Sequence, residues 1–224
     1  IKSLPHELLL EVVSRVASLS LYDLLNAKLI CKDFLNAAKE DYVFQHVSMD
    51  KFPVVPWKLN EESYLFINRC LENGNAEALY REGMKEYFSY KKQEFGIEKL
   101  KKAAEKGHVD ASYVYGMISL CLGNDGLKQE GLKVLSSFKS RGFRIKQCRE
   151  RVKGFLGLLW VNNIVARKQG SWHAKACSNR ENTKEFPIER KQRWQSSEEE
   201  DIIVSTCDLC LWDHEVDLFC NMLQ

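Results

Sequence analysis

The chain has 224 residues, of which 45% are hydrophobic and 29% charged, with a formal net charge of +2 at pH 7. That length allows one or two folded units, and the composition excludes a chain disordered throughout. The near-neutral charge points neither toward nor away from nucleic acid, so any such partner must be argued from local patches. Only four prolines are present, and long proline-free stretches rich in Leu, Lys and Glu favour helices. The expected fold class is therefore all-α.

The opening IKSLPHELLL has charged and polar residues where a secretory signal needs an unbroken apolar core. It begins at Ile1 rather than Met, so residues upstream are expected. Pro5 suits the first turn of a helix, where its missing N–H costs nothing. Leu8, Leu9, Val12, Val13 and Val16 then recur as one apolar stripe. Ser20 can cap a second helix, with Asp23 completing a weak capping box. Leu21, Leu24 and Leu25, then Leu29, Ile30, Phe34 and Leu35, supply apolar faces of a second and third helix, and 42–47 is a short amphipathic segment. Three short helices cannot hide so many apolar side chains, so an exposed face that needs a partner is expected within residues 1–50.

FPVVPWKL, within residues 51–59, reads as an extended linker because of its two prolines. Residues 60–151 repeat. GNAEALYREGM, from Gly74, matches GHVDASYVYGM, from Gly107, and GIEKLKKA, from Gly96, matches GLKVLSSF, from Gly131. A period in the mid-thirties with two helices per unit marks a helix-turn-helix solenoid. Gly74, Gly107 and Gly142 sit where left-handed caps would end helices, and Ala78 and Ala111 let helices approach closely. His108 falls at a cap position, so a structural role is expected for it.

Residues 152–224 open with an apolar pattern read as a helix over 152–165. Its FLGLLWV core runs straight into Asn162 and Asn163, far short of the roughly 20 apolar residues a membrane span needs. A polar, basic stretch follows over 167–194, then an acidic run, a short candidate strand at 202–204 and a helix over 213–222. Cys31, Cys70, Cys121 and Cys148 stand singly within helical patterns and read as small core residues. The other four cysteines are C-terminal. His173 and Cys177 have H-x3-C spacing, and Cys207 and Cys210 form C-x2-C. These four could surround zinc, and Cys207, Cys210, His214 and Cys220 form an alternate set. Against that, Cys210, Leu211, Val216, Leu218, Phe219 and Met222 could simply be one apolar helix face. Zinc is the one candidate cofactor. No Gly-rich phosphate loop, nucleophile elbow or paired catalytic carboxylates stand out, so no enzymatic role is expected. The basic residues of 139–153 and 167–193 lack a nucleic-acid motif and read as a solvated or protein-binding face.

LPHELLLEVVSRV followed by SLYDLLNAKLICKDFLNAAKEDYVF resembles the F-box along its whole length, on the Leu4-Pro5 opening, the Ser14-Arg15 pair and the Cys31-Lys32 pair. The resemblance implies a three-helix module that docks on a Skp-type adaptor, and through it a cullin. By position, Leu4, Pro5, Leu8, Leu9, Leu24, Cys31, Lys32 and Phe34 would make the contacts. Phe34 departs from the family, which usually has Trp there. Phe keeps the ring and loses the indole N–H, so docking should weaken modestly. Tyr22 and Asp23 also replace the more usual small or basic residues. AAEKGHVDASYVYG, from Ala103, resembles Sel-type repeats, relatives of the tetratricopeptide repeats, and the combination resembles a plant family of F-box proteins. It implies a substrate-recognition subunit of a ubiquitin ligase in the cytoplasm or nucleus, binding an unknown protein through its repeats or tail. The rivals are a helical scaffold with a decayed F-box and a zinc-dependent nucleic-acid or protein binding module.

Overall fold

The computed structural model describes residues 4–55, 59–122, 125–140, 145–162 and 208–223. Every regular element among them is a helix. The N-terminal module holds α1 (His6–Leu19), α2 (Leu21–Ala27), α3 (Lys32–Ala37) and α4 (Asp41–His46). α1 starts directly after Pro5, whose carbonyl accepts from the Leu9 N–H. The Ser20 hydroxyl accepts the Asp23 N–H at 3.2 Å, the expected N-cap of α2. Leu9, Val13 and Ala17, spaced four apart on α1, turn inward onto Leu24, Ala37, Ala38, Val43 and Phe44. Together they form a small core with α1 at its centre.

α5 (Glu61–Glu72) belongs to both halves of the molecule. Its Cys70 is buried in the N-terminal core, and Phe66 lies against Phe44 and Phe52 with ring centroids 5.5 and 5.3 Å away. Its Arg69 stands over the Phe44 ring at 4.1 Å and donates to the Lys39 carbonyl. The expected linker is therefore no free spacer at its N-terminal end. Arg81 donates to the Phe52 carbonyl at 3.0 Å, and Val54 and Val55 pack against the second core.

The repeat helices are α6 (Ala76–Phe88), α7 (Gln93–Glu105), α8 (Val109–Leu122) and α9 (Asp125–Ser140). The match read between Gly74 and Gly107 is a match of cap geometry. Both glycines have positive φ, 74° and 87°. Around Gly74, its own N–H bonds the Leu71 carbonyl and the Asn75 N–H bonds the Cys70 carbonyl. Around Gly107, the same two bonds run to Ala104 and, from His108, to Ala103. Both are the double closure that ends a helix on a left-handed residue. Within each pair the helices cross on glycine. A Cβ on Gly96 would meet the Tyr87 backbone at 2.6 Å, and one on Gly131 would meet the Ser119 Cβ at 2.9 Å. The GIEKL and GLKVL glycines thus permit close crossing, and the period is one helix pair. Gly142 lies outside the described residues.

Two helices complete the array. α10 spans Ile145–Leu156 and α11 spans Asp208–Asn221. The helix expected over 152–165 is corrected: it begins seven positions earlier and ends at Leu156. Beyond that, the chain turns, and the Asn162 N–H and side-chain amide donate to the carbonyls of Phe88 and Ser89 at 2.7 and 2.8 Å. Pinning Asn162 to the end of α6 is incompatible with continuing α10. The sequence boundary at 151/152 therefore falls inside a helix. The candidate strand at 202–204 lies outside the described residues. The C-terminal helix was expected, but its inward face is Trp212, Glu215, Val216, Phe219 and Leu223. Leu211, Leu218 and Met222 are half-buried at its margins. No described helix is long and apolar enough to cross a membrane.

α11 is held to the array by an internal ion pair. Arg149 on α10 clasps Glu215 with two bonds of 2.8 Å, and the Tyr113 hydroxyl donates to the same carboxylate at 2.6 Å. Glu215 is almost fully buried. Such a pair is a better device for fixing one docking register than for adding net stability, since desolvating the charges offsets their attraction. Burial and the Glu215 charge raise the Tyr113 pKa, so its proton stays in the hydrogen bond.

Candidate adaptor-binding face

α1 is amphipathic in an unusual way. The stripe expected from Leu8, Leu9, Val12, Val13 and Val16 divides in two. Leu9 and Val13 are in the core, whereas Leu8 and Val12 are 54% and 45% exposed. Residues four apart share a helix face, so Leu8 and Val12 form one outward apolar strip, and exposed Leu4 precedes them at the same spacing. α2 repeats the pattern. Leu24 is 1% exposed, while Tyr22 and Leu25 point to solvent. Leu29 and Ile30 then stand out on the turn that follows. Nine of the fifteen large hydrophobics exposed among the described residues fall between Leu4 and Tyr42. That density, in so short a stretch, marks an interaction surface rather than the ordinary scatter of surface apolar residues. None of the later helices among the described residues covers it.

The outward strip has an orderly polar border. Glu11 accepts from Arg15 at 2.8 Å and from the Tyr42 hydroxyl at 3.0 Å, which ties α1 to α4. Those two hydrogen bonds lower the Glu11 pKa.

The eight residues expected to contact the adaptor sort by exposure. Leu4, Pro5, Leu8 and Lys32 are exposed; Cys31 and Phe34 are half-buried; Leu9 and Leu24 are buried in the module's own core. Cys31 caps the start of α3 from an extended conformation. Val12, Leu25, Leu29 and Ile30 were read only as apolar helix positions, yet they belong to the same exposed set. The i+4 step from Leu8 to Val12 was the available signal.

The metal-ligand expectations fare differently. His173, Cys177 and Cys207 lie outside the described residues. Among the described residues, no group of three or more His, Cys, Asp or Glu side chains could hold a metal ion. Of the alternate ligands, His214 is exposed on α11, while the Cys220 thiol lies 3.7 Å from that of Cys121. Six residues apart on a helix, the two point about 120° apart around the axis, so the helix does not bring them together. Cys70, Cys121 and Cys148 are buried as expected.

His108 has the structural role expected of it. Its Nδ1 accepts the Ala111 N–H at 3.1 Å, capping α8, which leaves Nε2 to donate to Glu77 at 2.7 Å. Glu77 also accepts from Arg81 at 2.5 Å. Burial pushes the Glu77 pKa up, but His108 and Arg81 together overcome it and hold the carboxyl at about 2. One repeat later, Asp110 takes the position of Glu77 and receives both arms of Arg151, at 2.8 and 2.6 Å.

Comparison with known proteins agrees with this layout. A family model described as F-box-like matches residues 1–50, and one described as plant tetratricopeptide repeats matches residues 49–157. The chain thus carries an F-box-like module followed by a plant-type tetratricopeptide-like repeat segment. Three Arabidopsis thaliana proteins named as F-box proteins are similar to it. At1g67623 is 44% identical over 135 residues, covering 60% of this chain and 45% of the relative. At2g35280 is 27% identical over 62% of this chain and 83% of the relative. At1g67340 is 28% identical over 57% of this chain and 34% of the relative. The chain thus spans less than half the length of the first of these. No solved structure matches it. The handover between the two matched segments, at residues 49–50, falls between α4 and α5, while the N-terminal core itself extends to Cys70 and Ala78.

A second feature lies just past that handover. A cavity of about 580 Å³ opens between the end of the linker, α5 and α6, lined among others by Pro53, Tyr64, Leu71, Arg81, Lys85 and Tyr90. Of its charged lining, Arg81 meets Glu77, Lys85 meets Glu82 at 2.5 Å, and Glu61 adds a further carboxylate. Tyr64 and Tyr90 are both more than half exposed at its rim.

Proposed function

We propose that the chain is the substrate-recognition subunit of a Skp–cullin–F-box ubiquitin ligase, working in the cytoplasm or nucleus. The single observation that carries this reading is the uncovered apolar strip of Leu4, Leu8, Val12, Tyr22, Leu25, Leu29 and Ile30 on a matched F-box-like module. Burying an exposed Leu or Val contributes about 1.5–3 kcal/mol at best, so a few such residues suffice to anchor a helical partner. In this reading Leu4, Pro5, Leu8 and Lys32 touch the Skp-type adaptor directly, with Cys31 and Phe34 at the edge of the contact. Leu9 and Leu24 act from beneath, by holding α1 and α2 at the right separation.

The adaptor would be joined to a cullin, and a substrate protein would bind the repeat half. The cavity beside Tyr64 and Tyr90 suits a short, partly apolar segment of that substrate, because its two bases, Arg81 and Lys85, already meet carboxylates of this chain. No side chain of this chain would perform chemistry. Ubiquitin transfer would be accelerated by proximity alone. The nucleic-acid alternative loses support in α10, where Arg149 and Arg151 of the basic stretch are engaged by Glu215 and Asp110.

Co-purification tests the reading. Tagged full-length chain should recover the Skp adaptor, and Leu8→Asp should reduce recovery at least about tenfold, the cost of burying one unpaired charge in the contact. Tyr64→Ala combined with Tyr90→Ala should keep the adaptor and lose the substrate. Equal recovery of the adaptor by wild type and Leu8→Asp would falsify the proposal.

A further inference from the structure

α8 and α11 end side by side, and each carries a cysteine at its next-to-last position: Cys121 in Val109–Leu122 and Cys220 in Asp208–Asn221. Their sulfurs are 3.7 Å apart. Cys121 is buried and Cys220 half-buried, and neither is in a disulfide. We propose that Cys121 and Cys220 form a peroxide-sensitive thiol pair whose oxidation to a disulfide covalently latches the C-terminal helix onto the repeat array.

Two observations carry this. The sulfurs are within a side-chain rotation of the roughly 2.05 Å disulfide bond length. The thiols are pre-organised by contacts independent of them: Trp212, Val216 and Phe219 in the core, and the Glu215 clasp to Arg149 and Tyr113.

The chemistry needs a two-electron oxidant, and a hydroperoxide supplies it. The more accessible Cys220, as thiolate, attacks the peroxide oxygen and becomes a sulfenic acid, releasing hydroxide that takes up the thiol proton as water. The Cys121 sulfur then displaces hydroxide from the sulfenic sulfur. One S–S bond forms, hydrogen peroxide is reduced to two waters, and both thiol protons end in water. The covalent link closes a loop of about 100 residues, long enough to restrict the unfolded state substantially. In the reduced protein α11 is held by non-covalent contacts, packing and the Glu215 clasp among them; in the oxidised protein its release requires reduction.

The experiment exposes the full chain to hydrogen peroxide, blocks remaining thiols, digests without reductant and reads the peptides by mass spectrometry. A joined peptide pair containing Cys121 and Cys220, two hydrogens lighter than the separate peptides, is expected. So is a rise in Tm of about 5–10 °C that dithiothreitol reverses. Cys220→Ser, at a half-buried site, should lose both effects while keeping the reduced-state Tm of the wild type; Cys121→Ser should likewise lose the joined peptide. The proposal is overturned if Cys220 is recovered as sulfinic or sulfonic acid without the link. It is equally overturned if Cys220 joins Cys207 or Cys210 instead, or if the link forms and Tm does not rise.

Discussion

The F-box-like module and the repeat array are both built from helices, mostly shorter in the module than in the array, and they treat their apolar residues differently. In the array, α8 is buried nearly all round, between α7, α9, α10 and α11, and its tyrosines and Met117 reach no solvent. In the module, α1 covers only one of its two apolar strips and leaves the other in water. The difference teaches where each half is finished. The array is closed by its own C-terminal helix, whereas no described helix covers the outer strip of the module. Short repeat arrays are unstable when their last unit exposes an apolar flank, and α11 removes that flank here.

The largest expected effect tests closure of the array. Trp212, on α11, is 2% exposed and among the largest fully buried side chains. Trp212→Ala should destabilise the repeats by about 3–5 kcal/mol, read as a lower midpoint in urea unfolding. If the change costs under about 1 kcal/mol, α11 is not a working part of the core, and the contrast between a closed and an open half fails.

The two halves were also legible in the sequence to different degrees. The array announced itself through Gly74 and Gly107, because only a residue tolerant of positive φ fits those caps, and the glycine survives at both copies. The partner of Tyr113 did not. Glu215 lies 102 residues away, and nothing local in either segment signals that the two meet. The end of α10 was hidden for a similar reason, since the apolar run through Trp160 fits a continuing helix until Asn162 is tied to Phe88 and Ser89. In α1, the adjacent pairs Leu8-Leu9 and Val12-Val13 broaden the apolar arc. Periodicity found the arc, but it could not say which edge the protein would cover. The zinc reading rested on spacing within residues 173–220; the described part of it turns Cys220 toward Cys121 rather than toward His214.

A smaller effect probes the joints between repeats. Glu77 holds its carboxyl at about 2, below the ordinary range, against burial and through His108 and Arg81. A depressed folded-state pKa contributes stability that is present above the unfolded value and is lost as pH falls through the folded one. Glu77→Gln should therefore cost about 1–2 kcal/mol at pH 7, allowing for solvent screening of a carboxylate that is one-third exposed. The gap between variant and wild type should narrow from about pH 4.5 downward and close near pH 2. A gap unchanged across that window would show that the carboxylate's charge is not what joins α6 to the cap of α8.

The smallest effect on stability is expected where the effect on binding is largest. Leu8 is at the third position of α1, within the first turn. Introducing Asp there removes an apolar side chain already half in water and places a carboxylate beside the unsatisfied N–H groups of the helix start, where negative charge is favourable. Leu8→Asp should consequently shift folding stability by no more than about 0.5 kcal/mol, in either direction. Its neighbour Leu9, 5% exposed, offers the internal standard, since the same substitution there buries a charge and should unfold the module. Thermal unfolding of the two variants separates an open face from a covered one without any partner present. A loss above about 1 kcal/mol for Leu8→Asp would mean that this leucine is already packed within the chain, and the outward strip would no longer be a surface awaiting a second protein.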